Sequence, residues 1–316
     1  MSKKILLSGV KPTGAPHIGN YFGAMKQFVD LQNINKYECY FMIADYHGLN
    51  FIQNAEEMRT NTLNLALDYL ALGLDPLTSV IFKQSDVSAH TELAWIFDSI
   101  TTMPYLMRAH AFKDAEAKDK EISVGTFNYP LLMAADILLY DADVVPVGQD
   151  QKQHVEYARD TAQKFNNLFT ETFKLPESLI MKDVAVVPGT DGRKMSKSYG
   201  NTIPLFATRE EIVKEVMGIV TDSSGDVPTN VYNMHRLLKS ETELKKLYEE
   251  NKGKYKALKE ALIEDLDAFI KPLREKRALI AQNMQEVEAV LAQGALKAKA
   301  KADAKLLTVK KNIGVL

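Results

Sequence analysis

The sequence predicts an α/β fold in which a parallel sheet is followed by a region made only of helices. Short apolar runs alternate with longer segments of helical periodicity as far as Ile203, after which strand patterns nearly vanish and helical patterns continue to about Ala295. Alternating strands and helices are typical of βαβ units, which form a parallel sheet covered on both faces. We therefore predict one α/β domain over residues 1–204 and an all-α domain over residues 205–316.

The elements of the first domain follow from the period and length of the apolar runs. Short apolar runs predict the strands Ile5–Val10, Tyr40–Ala44, Ser79–Phe82 and Val144–Val147. Helical spacing predicts a helix from Gly19 or Asn20 to Leu31, and further helices at Ala55–Leu72, Thr91–Ile100, Tyr129–Tyr140 and Asp150–Phe165. The charged stretch 109–123 is predicted to be a mobile loop or an insertion, and the Pro- and Gly-containing stretch 184–198 a further loop.

Composition excludes several classes of protein. Of the 316 residues, 46% are apolar and 25% charged, which is ordinary for a soluble globular protein. The formal net charge of −2 means that any nucleic-acid binding must come from local basic patches. The single cysteine, Cys39, allows no intramolecular disulfide and is expected to be buried. No apolar run approaches the ~18 residues of a membrane span, so we predict a cytoplasmic protein without a membrane partner.

The first candidate motif is Lys11-Pro12-Thr13-Gly14-Ala15-Pro16-His17-Ile18-Gly19-Asn20, between the first strand and the first helix. In a parallel sheet this is where phosphates meet the positive end of a helix. Gly14 and Gly19 allow a nucleotide to approach the backbone closely, and His17 can donate to phosphate oxygens. An ordinary turn with a capping histidine remains an open alternative.

The second candidate motif is Lys194-Met195-Ser196-Lys197-Ser198, which follows the turn-forming stretch 188–193. Two lysines and two hydroxyls on a loop suit a triphosphate, because the lysines can neutralise the charge that develops as pyrophosphate leaves. A solvated basic loop is the alternative for such a cluster taken alone.

Together, in this order and at this separation, the two motifs resemble the paired HIGH and KMSKS signatures of class I aminoacyl-tRNA synthetases. The first signature has Asn20 in its last place, and the second is a full match. Segment 129–140 is similar to the specificity helix of bacterial-type tryptophanyl-tRNA synthetases, and segment 145–154 is similar to their ribose-binding segment. The resemblance covers residues 1 to about 205.

The predicted helix 129–140 carries its own chemistry. Tyr129, Met133 and Asp136 are spaced so that they share one helical face. Asp136 lies among apolar residues, where a carboxylate needs a donor; a structural ion pair or a cap is the alternative. The resemblance implies that Asp136 accepts the indole N–H of tryptophan and that Met133 packs near the ring. Tyrosyl members typically carry Gln in place of Met133, which favours tryptophan here.

The resemblance implies further site residues and two departures. Asp150 is implied in binding the ribose, although an ordinary N-cap is its alternative, and His47 is implied near the substrate, although a hydrogen-bonded loop histidine is equally compatible. Lys11 stands where many bacterial members have Gln, and Gln149 where they often have Glu. The implied ATP-binding residues are Lys11, Pro12, Thr13, His17, Gly19, Asn20, Gly148, Gln149, Asp150, Val186, Lys194, Met195, Ser196, Lys197 and Ser198. The implied catalytic residues are Lys194, Lys197, Lys113 and His17, and the implied tryptophan-binding residues are Asp136, Met133, Tyr129, Gln151 and His47.

The resemblance therefore implies a tryptophan–tRNA ligase, which activates L-tryptophan with ATP and transfers it to tRNA(Trp). It implies a Rossmann-like catalytic domain with an insertion at about 105–140, a helical domain for the anticodon end of the tRNA, and a homodimer joined near the insertion. Mg²⁺ is expected to arrive with ATP, without a tightly bound, protein-ligated metal. A tyrosyl enzyme and a non-catalytic, tryptophan-sensing paralogue are the alternatives, although a paralogue is expected to have lost a signature lysine.

The C-terminal stretch Ala295–Lys311 is rich in Ala and Lys, with Asp303 as its only acid. Two interpretations remain open for it. Its lysines contact tRNA phosphates, or the stretch is a solvated, frayed tail.

Overall fold

The computed structural model describes residues 3–109, 112–113, 116, 121–148, 152–180, 187–221 and 225–316. Five parallel strands occur within them: β1 (Lys4–Val10), β2 (Tyr37–Ile43), β3 (Ser79–Lys83), β4 (Val144–Val147) and β5 (Glu177–Ile180). They form one sheet in the order β3-β2-β1-β4-β5. The chain starts in the middle of the sheet, adds two strands on one side, and then returns to add two on the other.

Helices connect the strands and make up most of the rest of the described chain. In chain order they are α1 (Ile18–Asn20), α2 (Lys26–Asn33), α3 (Asp45–Gly48), α4 (Ala55–Leu72), α5 (Ala89–Ile100), α6 (Met103–Leu106), α7 (Val124–Leu138), α8 (Lys152–Leu168), α9 (Arg209–Met217), α10 (Thr229–His235), α11 (Glu241–Glu250), α12 (Tyr255–Ile280) and α13 (Met284–Asn312). A π-helical segment, Tyr21–Met25, joins α1 to α2. None of the described helices has the length and apolar character needed to cross a membrane.

The four predicted strands are confirmed, and a fifth strand, β5, was missed. β5 has only four residues, Glu177-Ser178-Leu179-Ile180, and pairs on one side only. A short edge strand is partly exposed, so its sequence need not show a continuous apolar run. No signal in the sequence therefore separated it from the surrounding loop.

The predicted helices are confirmed with shifted ends, and the largest shift has a physical reason. The specificity-helix segment begins at Val124 rather than Tyr129, because the Ser123 side chain accepts the backbone N–H of Thr126 and caps the helix there. Pro130 lies inside α7. The predicted loop at 109–123 lies for the most part outside the described residues.

The core consists of two apolar layers, one on each face of the sheet. Successive residues of a strand point to opposite faces, and Phe41 and Ile43 belong to one layer whereas Tyr40 and Met42 belong to the other. Cys39 is buried on β2, as predicted. Helices α2 and α4, with most of the helical region, pack on the first face, and α5, α7 and α8 pack on the second.

Helix α13 covers the edge strand β3. At Gly294 the two backbones approach so closely that an added Cβ would lie 1.8 Å from the carbonyl oxygen of Ile81. Beyond Gly294, one side of the helix is buried in the second apolar layer. The interpretation of residues 295–311 as a frayed tail was therefore wrong, since small residues at helical spacing dock this stretch onto the sheet.

Ion pairs hold several C-terminal lysines. Lys305 pairs with Asp141 at 2.7 Å, Lys310 pairs with Glu92, and Lys299 pairs with Asp303 at 2.8 Å. Lys297 and Lys311 are exposed. The division of the chain at residue 205 and the contact of these lysines with tRNA stay predictions.

Candidate active site

A cavity of about 710 Å³ opens at the carboxyl ends of β1, β2 and β4. It lies where the chain order of the sheet reverses, between β1 and β4, which is the usual ligand-binding position in open parallel sheets. The ends of β1 and β4 supply the segments 7–11 and 145–148, and α7 supplies Tyr129, Met133, Asp136 and Ile137. The cavity is thus apolar along most of its wall, with a few polar groups.

Asp136 is the most buried polar group of the cavity wall, with 2% of its surface exposed. Its Oδ1 accepts hydrogen bonds from Gln84 Nε2 (2.7 Å) and His90 Nδ1 (2.6 Å), and its Oδ2 from His47 Nε2 (2.9 Å). Burial by itself raises the pKa of the Asp136 carboxyl, but the two histidines lower it to about 2. The sequence predicted that the buried Asp136 needs a donor, and the structure supplies three donor side chains. With its pKa lowered in this way, the Asp136 carboxyl is ionised.

The remaining acceptor capacity of this carboxylate can be counted. Each carboxylate oxygen has two lone-pair sites. Among the described residues, both sites of Oδ1 are occupied, whereas Oδ2 has one donor and can accept one more. Because His47 and Asp136 both line the cavity, that last site lies beside the space where a ligand would bind.

Three of the residues predicted to bind tryptophan, Met133, Tyr129 and His47, come together around Asp136. Met133 is half-buried and lines the same wall one helical turn away. The Tyr129 hydroxyl is 2.5 Å from His154 Nε2, and the Tyr129 ring is edge-on to the His47 ring with centroids 6.2 Å apart. The aromatic and thioether groups form an apolar slot next to one carboxylate oxygen.

His17 caps the first helix and leaves one ring nitrogen to donate. Its Nδ1 accepts the backbone N–H of Asn20 at 3.2 Å, while Asn20 Oδ1 accepts the backbone N–H of His17 at 3.0 Å. Burial, and then the charge of Lys197, lower the pKa of the His17 imidazole to about 4. The ring is therefore neutral at pH 7, and its single proton must be on Nε2.

Gly19 makes the cap possible. A Cβ at Gly19 would lie 2.8 Å from His17 Nδ1 and 3.2 Å from the Cβ of Met195. The buried Met195 thus packs against the first motif, so the two motifs are in contact although they are far apart in the sequence. The capping role of His17 is confirmed, whereas the binding of phosphate by the first motif stays a prediction.

Lys197 bridges the two motifs directly. Its Nζ donates to the carbonyl oxygen of Thr13 at 2.9 Å, and it lies 3.5 Å from where a Cβ of Gly14 would be. Gly14 has φ of +91°, a conformation that glycine adopts at little cost. Lys194 and Lys197 are both exposed and do not line the cavity, in contrast to the buried carboxylate of Asp136.

Asn201 organises the base of the second motif, and the sequence analysis missed it. Its side chain donates to Asp191 Oδ1 (2.7 Å) and to the Lys194 carbonyl (3.2 Å), and accepts from the Ser196 backbone (2.8 Å). A Cβ at Gly189 would lie 2.2 Å from Asn201 Nδ2. The sequence signal was a Gly-Asn pair shortly after the second motif, and in the structure Gly200 has positive φ.

The other predicted site residues are placed as follows. Lys11 lines the cavity with its ammonium 4.5 Å from the centre of the Phe51 ring, and Gly148 lines it at the end of β4. Lys113 is exposed and is not part of the cavity wall. The predicted residues Gln149, Asp150, Gln151 and Val186 lie outside the described residues. Over the described chain, no group of three or more His, Cys, Asp or Glu side chains could hold a metal ion.

Comparison with known proteins agrees with this geometry. The family model of tRNA synthetases class I (W and Y) matches residues 2–293. A tryptophan–tRNA ligase of Fusobacterium nucleatum is 48% identical to the chain and covers 98% of it, with 98% of its own length matched. The ligase of Rhodopirellula baltica is 42% identical over 98% of this chain and 99% of its own.

A solved structure is similar over nearly the whole chain. Tryptophanyl-tRNA synthetase from Campylobacter jejuni, complexed with ADP and tryptophan, is 43% identical with a TM-score of 0.90, and the match covers 98% of this chain and 99% of that chain. Its fold is that of the sheet and helices described above. The chain belongs to the class I tRNA synthetases for tryptophan and tyrosine.

Proposed function

We propose that this protein is a tryptophan–tRNA ligase, which forms tryptophanyl-adenylate from L-tryptophan and ATP and then transfers the tryptophanyl group to tRNA(Trp). The single acceptor site left on Asp136 Oδ2, at the end of an apolar slot, carries this proposal. An indole ring fills such a slot and brings one N–H donor. Full-length relatives of the same activity, more than 40% identical, support the choice of tryptophan over tyrosine.

Tryptophan is selected by hydrogen bonding as well as by shape. The indole N–H donates to Asp136 Oδ2, and Met133 packs against the ring. The Met133 thioether adapts to an aromatic face, whereas a phenol hydroxyl would need a second polar partner at this position. A site built around a buried acceptor rejects analogues that cannot donate to it. Tyr129 and Gln151 are proposed to hold the α-ammonium group.

ATP is proposed to bind between the two motifs, carrying Mg²⁺ with it as part of the substrate. The neutral His17 donates from Nε2 to a phosphate oxygen, and Lys194, Lys197 and the exposed Lys113 receive the pyrophosphate. The tryptophan carboxylate attacks the α-phosphorus, the bond to the bridging oxygen breaks, and pyrophosphate departs with its electron pair. The protein contributes position and electrostatic stabilisation without a covalent intermediate.

The second step and the assembly are part of the same proposal. A terminal ribose hydroxyl of the tRNA attacks the adenylate carbonyl and releases AMP, while the helical region 205–316 engages the anticodon end. Exposed apolar residues near the insertion, among them Trp95, Met103 and Val124, support a homodimer interface there. Sedimentation in solution tests the dimer. The single, buried Cys39 is consistent with the proposed cytoplasmic location.

Tryptophan-dependent exchange of pyrophosphate into ATP tests the function, because it needs no tRNA. We expect exchange with tryptophan and none above background with tyrosine. Exchange with tyrosine alone would identify a tyrosyl enzyme. Tryptophan binding without exchange would identify a sensing protein, and either result would refute the proposal.

A further inference from the structure

His90 contacts the proposed tryptophan-binding carboxylate from a position that no ligand can reach. It lies on α5 with no exposed surface and is not part of the cavity wall. Its Nδ1 is 2.6 Å from Asp136 Oδ1, and its Nε2 is 2.9 Å from the Tyr140 hydroxyl. The mechanism above assigns it no contact with a substrate.

The direction of these hydrogen bonds follows from chemistry. An ionised carboxylate can only accept, so the proton on His90 Nδ1 points to Asp136. Nε2 lies 2.9 Å from the Tyr140 hydroxyl, and the lone pair that a neutral ring keeps there can accept the hydroxyl proton. In the described chain that hydroxyl has no other hydrogen-bond partner. The donors Tyr140 and His90 thus form a chain that ends on Oδ1, and such chains polarise each bond in them.

Gln84 completes the arrangement from the end of β3. Its Nε2 donates to the same Oδ1 at 2.7 Å, and its Oε1 faces the backbone N–H of His47 at 3.4 Å. His90 and Gln84 together occupy both lone-pair sites of Oδ1. With Oδ1 fixed on the side away from the cavity, the carboxylate cannot rotate, and its one vacant acceptor site stays on Oδ2.

Packing holds the chain of donors in place. The His90 ring stacks on Phe82 with centroids 6.2 Å apart, and the Tyr140 ring lies 5.1 Å from the Tyr40 ring. Tyr40 directs its own hydroxyl elsewhere, to Glu38 at 2.8 Å. Tyr40 and Tyr140 lie in the same apolar layer, but only the Tyr140 hydroxyl bonds to His90 and so belongs to the chain of donors.

We propose that His90 is a positioning residue for amino-acid selection: with Gln84 it fixes the Asp136 carboxylate so that only Oδ2 is left to accept the indole N–H, and Tyr140 fixes the tautomer of His90. This inference rests on the proposed function. It assigns part of the tryptophan preference to side chains that never touch tryptophan.

The test compares tryptophan with β-(3-benzothienyl)alanine, in which sulfur replaces the indole N–H. The measured quantity is the ratio of kcat/KM for the two amino acids in pyrophosphate exchange. For His90→Phe we expect this ratio to fall by about 10- to 100-fold, as for the loss of one hydrogen bond to a charged group. The fall should come from a higher KM for tryptophan, with the KM for ATP unchanged.

Two further variants separate positioning from packing. Asn places an amide N–H near the position of His90 Nδ1, so His90→Asn should retain most of the ratio. Tyr140→Phe should lower the ratio by a few-fold, whereas the matched control Tyr40→Phe should not change it. Equal losses for both amino acids, or an unchanged ratio in Tyr140→Phe, would overturn the proposal.

If His90→Phe does not fold, the kcat/KM ratios of Tyr140→Phe and Tyr40→Phe still test the proposal. Failure of the proposed function gives a different result. In that case the parent protein itself shows no tryptophan-dependent exchange, whereas failure of this inference leaves the parent active and its selectivity independent of the chain of donors.

Discussion

At the tryptophan end of the proposed active site the polar side chains are buried and bonded to one another, whereas at its nucleotide end, formed by the second motif, they are exposed and carried by a loop. Asp136 has 2% of its surface exposed and three hydrogen-bond donors. Lys194 and Lys197 are exposed, and Lys197 bonds only to a backbone carbonyl among the described contacts. The proposed active site thus combines a buried, hydrogen-bonded end with an exposed end.

The difference follows from what each end has to do. Choosing one amino acid requires a group whose position does not adapt to the wrong ligand, and burial with satisfied hydrogen bonds provides this. Stabilising the departure of pyrophosphate requires positive charges that follow a moving group and then release it. Exposed lysines on a loop suit that task, because solvent weakens their hold on the product.

Asp136→Asn should have the largest effect and should act on the tryptophan end alone. An amide in place of the carboxylate turns its NH₂ group toward donors and leaves two of them unsatisfied. At about 2 kcal/mol for each, kcat/KM for tryptophan should fall by about 10³-fold, while the KM for ATP stays within about twofold. Steady-state pyrophosphate exchange measures both values.

The matched control for this variant is Asp30→Asn, the same substitution at an exposed ion pair on α2. It should change neither constant. If kcat/KM for tryptophan in Asp136→Asn equalled that of the parent, the buried carboxylate would have no role in selection.

Lys197→Ala should have the second largest effect and should act on the nucleotide end alone. Removing a donor that stabilises transition-state charge typically slows the chemical step by about 10²-fold. Single-turnover formation of the adenylate should slow by that factor, while equilibrium binding of tryptophan stays unchanged. Lys214→Ala, at an exposed position on α9, is the control. Weaker tryptophan binding in Lys197→Ala would mean that the two ends are not separate.

The two ends also differ in how far the sequence predicts them. The motif around Lys197 is continuous in the chain, so its residues can be found together. The partners of Asp136 come from three other places, at residues 47, 84 and 90, and only His47 was predicted. Gln84 and His90 become neighbours of Asp136 because β3 and α5 pack beside α7, a tertiary arrangement that leaves no local pattern.

The fold, like the active site, could be predicted only where the sequence pattern is local. Buried parallel strands such as β1 and β4 carry continuous apolar runs and were predicted within one residue. The edge strand β5 has no such run, and the docking of α13 depends on a close approach at Gly294 that cannot be read from helical periodicity. Local patterns thus identify most elements, whereas contacts between distant segments require the structure.

His17 belongs to the first motif, close to Lys197, and its titration gives a prediction of intermediate size. Its pKa falls from 6.5 unfolded to about 4 folded, so the unfolded chain binds the proton more readily. The stability contributed by the neutral ring is present above pH 6.5 and is lost as pH falls toward 4. Between pH 7 and pH 5 this loss amounts to about 2 kcal/mol of unfolding free energy.

His17→Asn retains an N-capping side chain and removes the titration. Denaturant unfolding at pH 7 and pH 5 should therefore show the parent losing about 2 kcal/mol more than the variant. In Lys197→Ala, which lacks the charge that lowers the pKa of His17, the loss should be smaller than in the parent. Equal losses in all three proteins would mean that His17 is not held neutral by its surroundings.

The smallest expected effect lies outside both ends, on the C-terminal helix. Three of its lysines form ion pairs within the chain, whereas Lys297 and Lys311 are exposed. If these two contact phosphates of a tRNA helix, each contact releases counterions and contributes about 0.9 units to the salt slope of binding. Replacing both with Ala should therefore flatten the slope by up to about two units and raise the KM for tRNA several-fold. Pyrophosphate exchange should stay at the parent value, because neither residue reaches the cavity. A parental salt slope in the double variant would show that tRNA does not bind along this side of α13, and a change in exchange would show that the helix acts on the active site through β3.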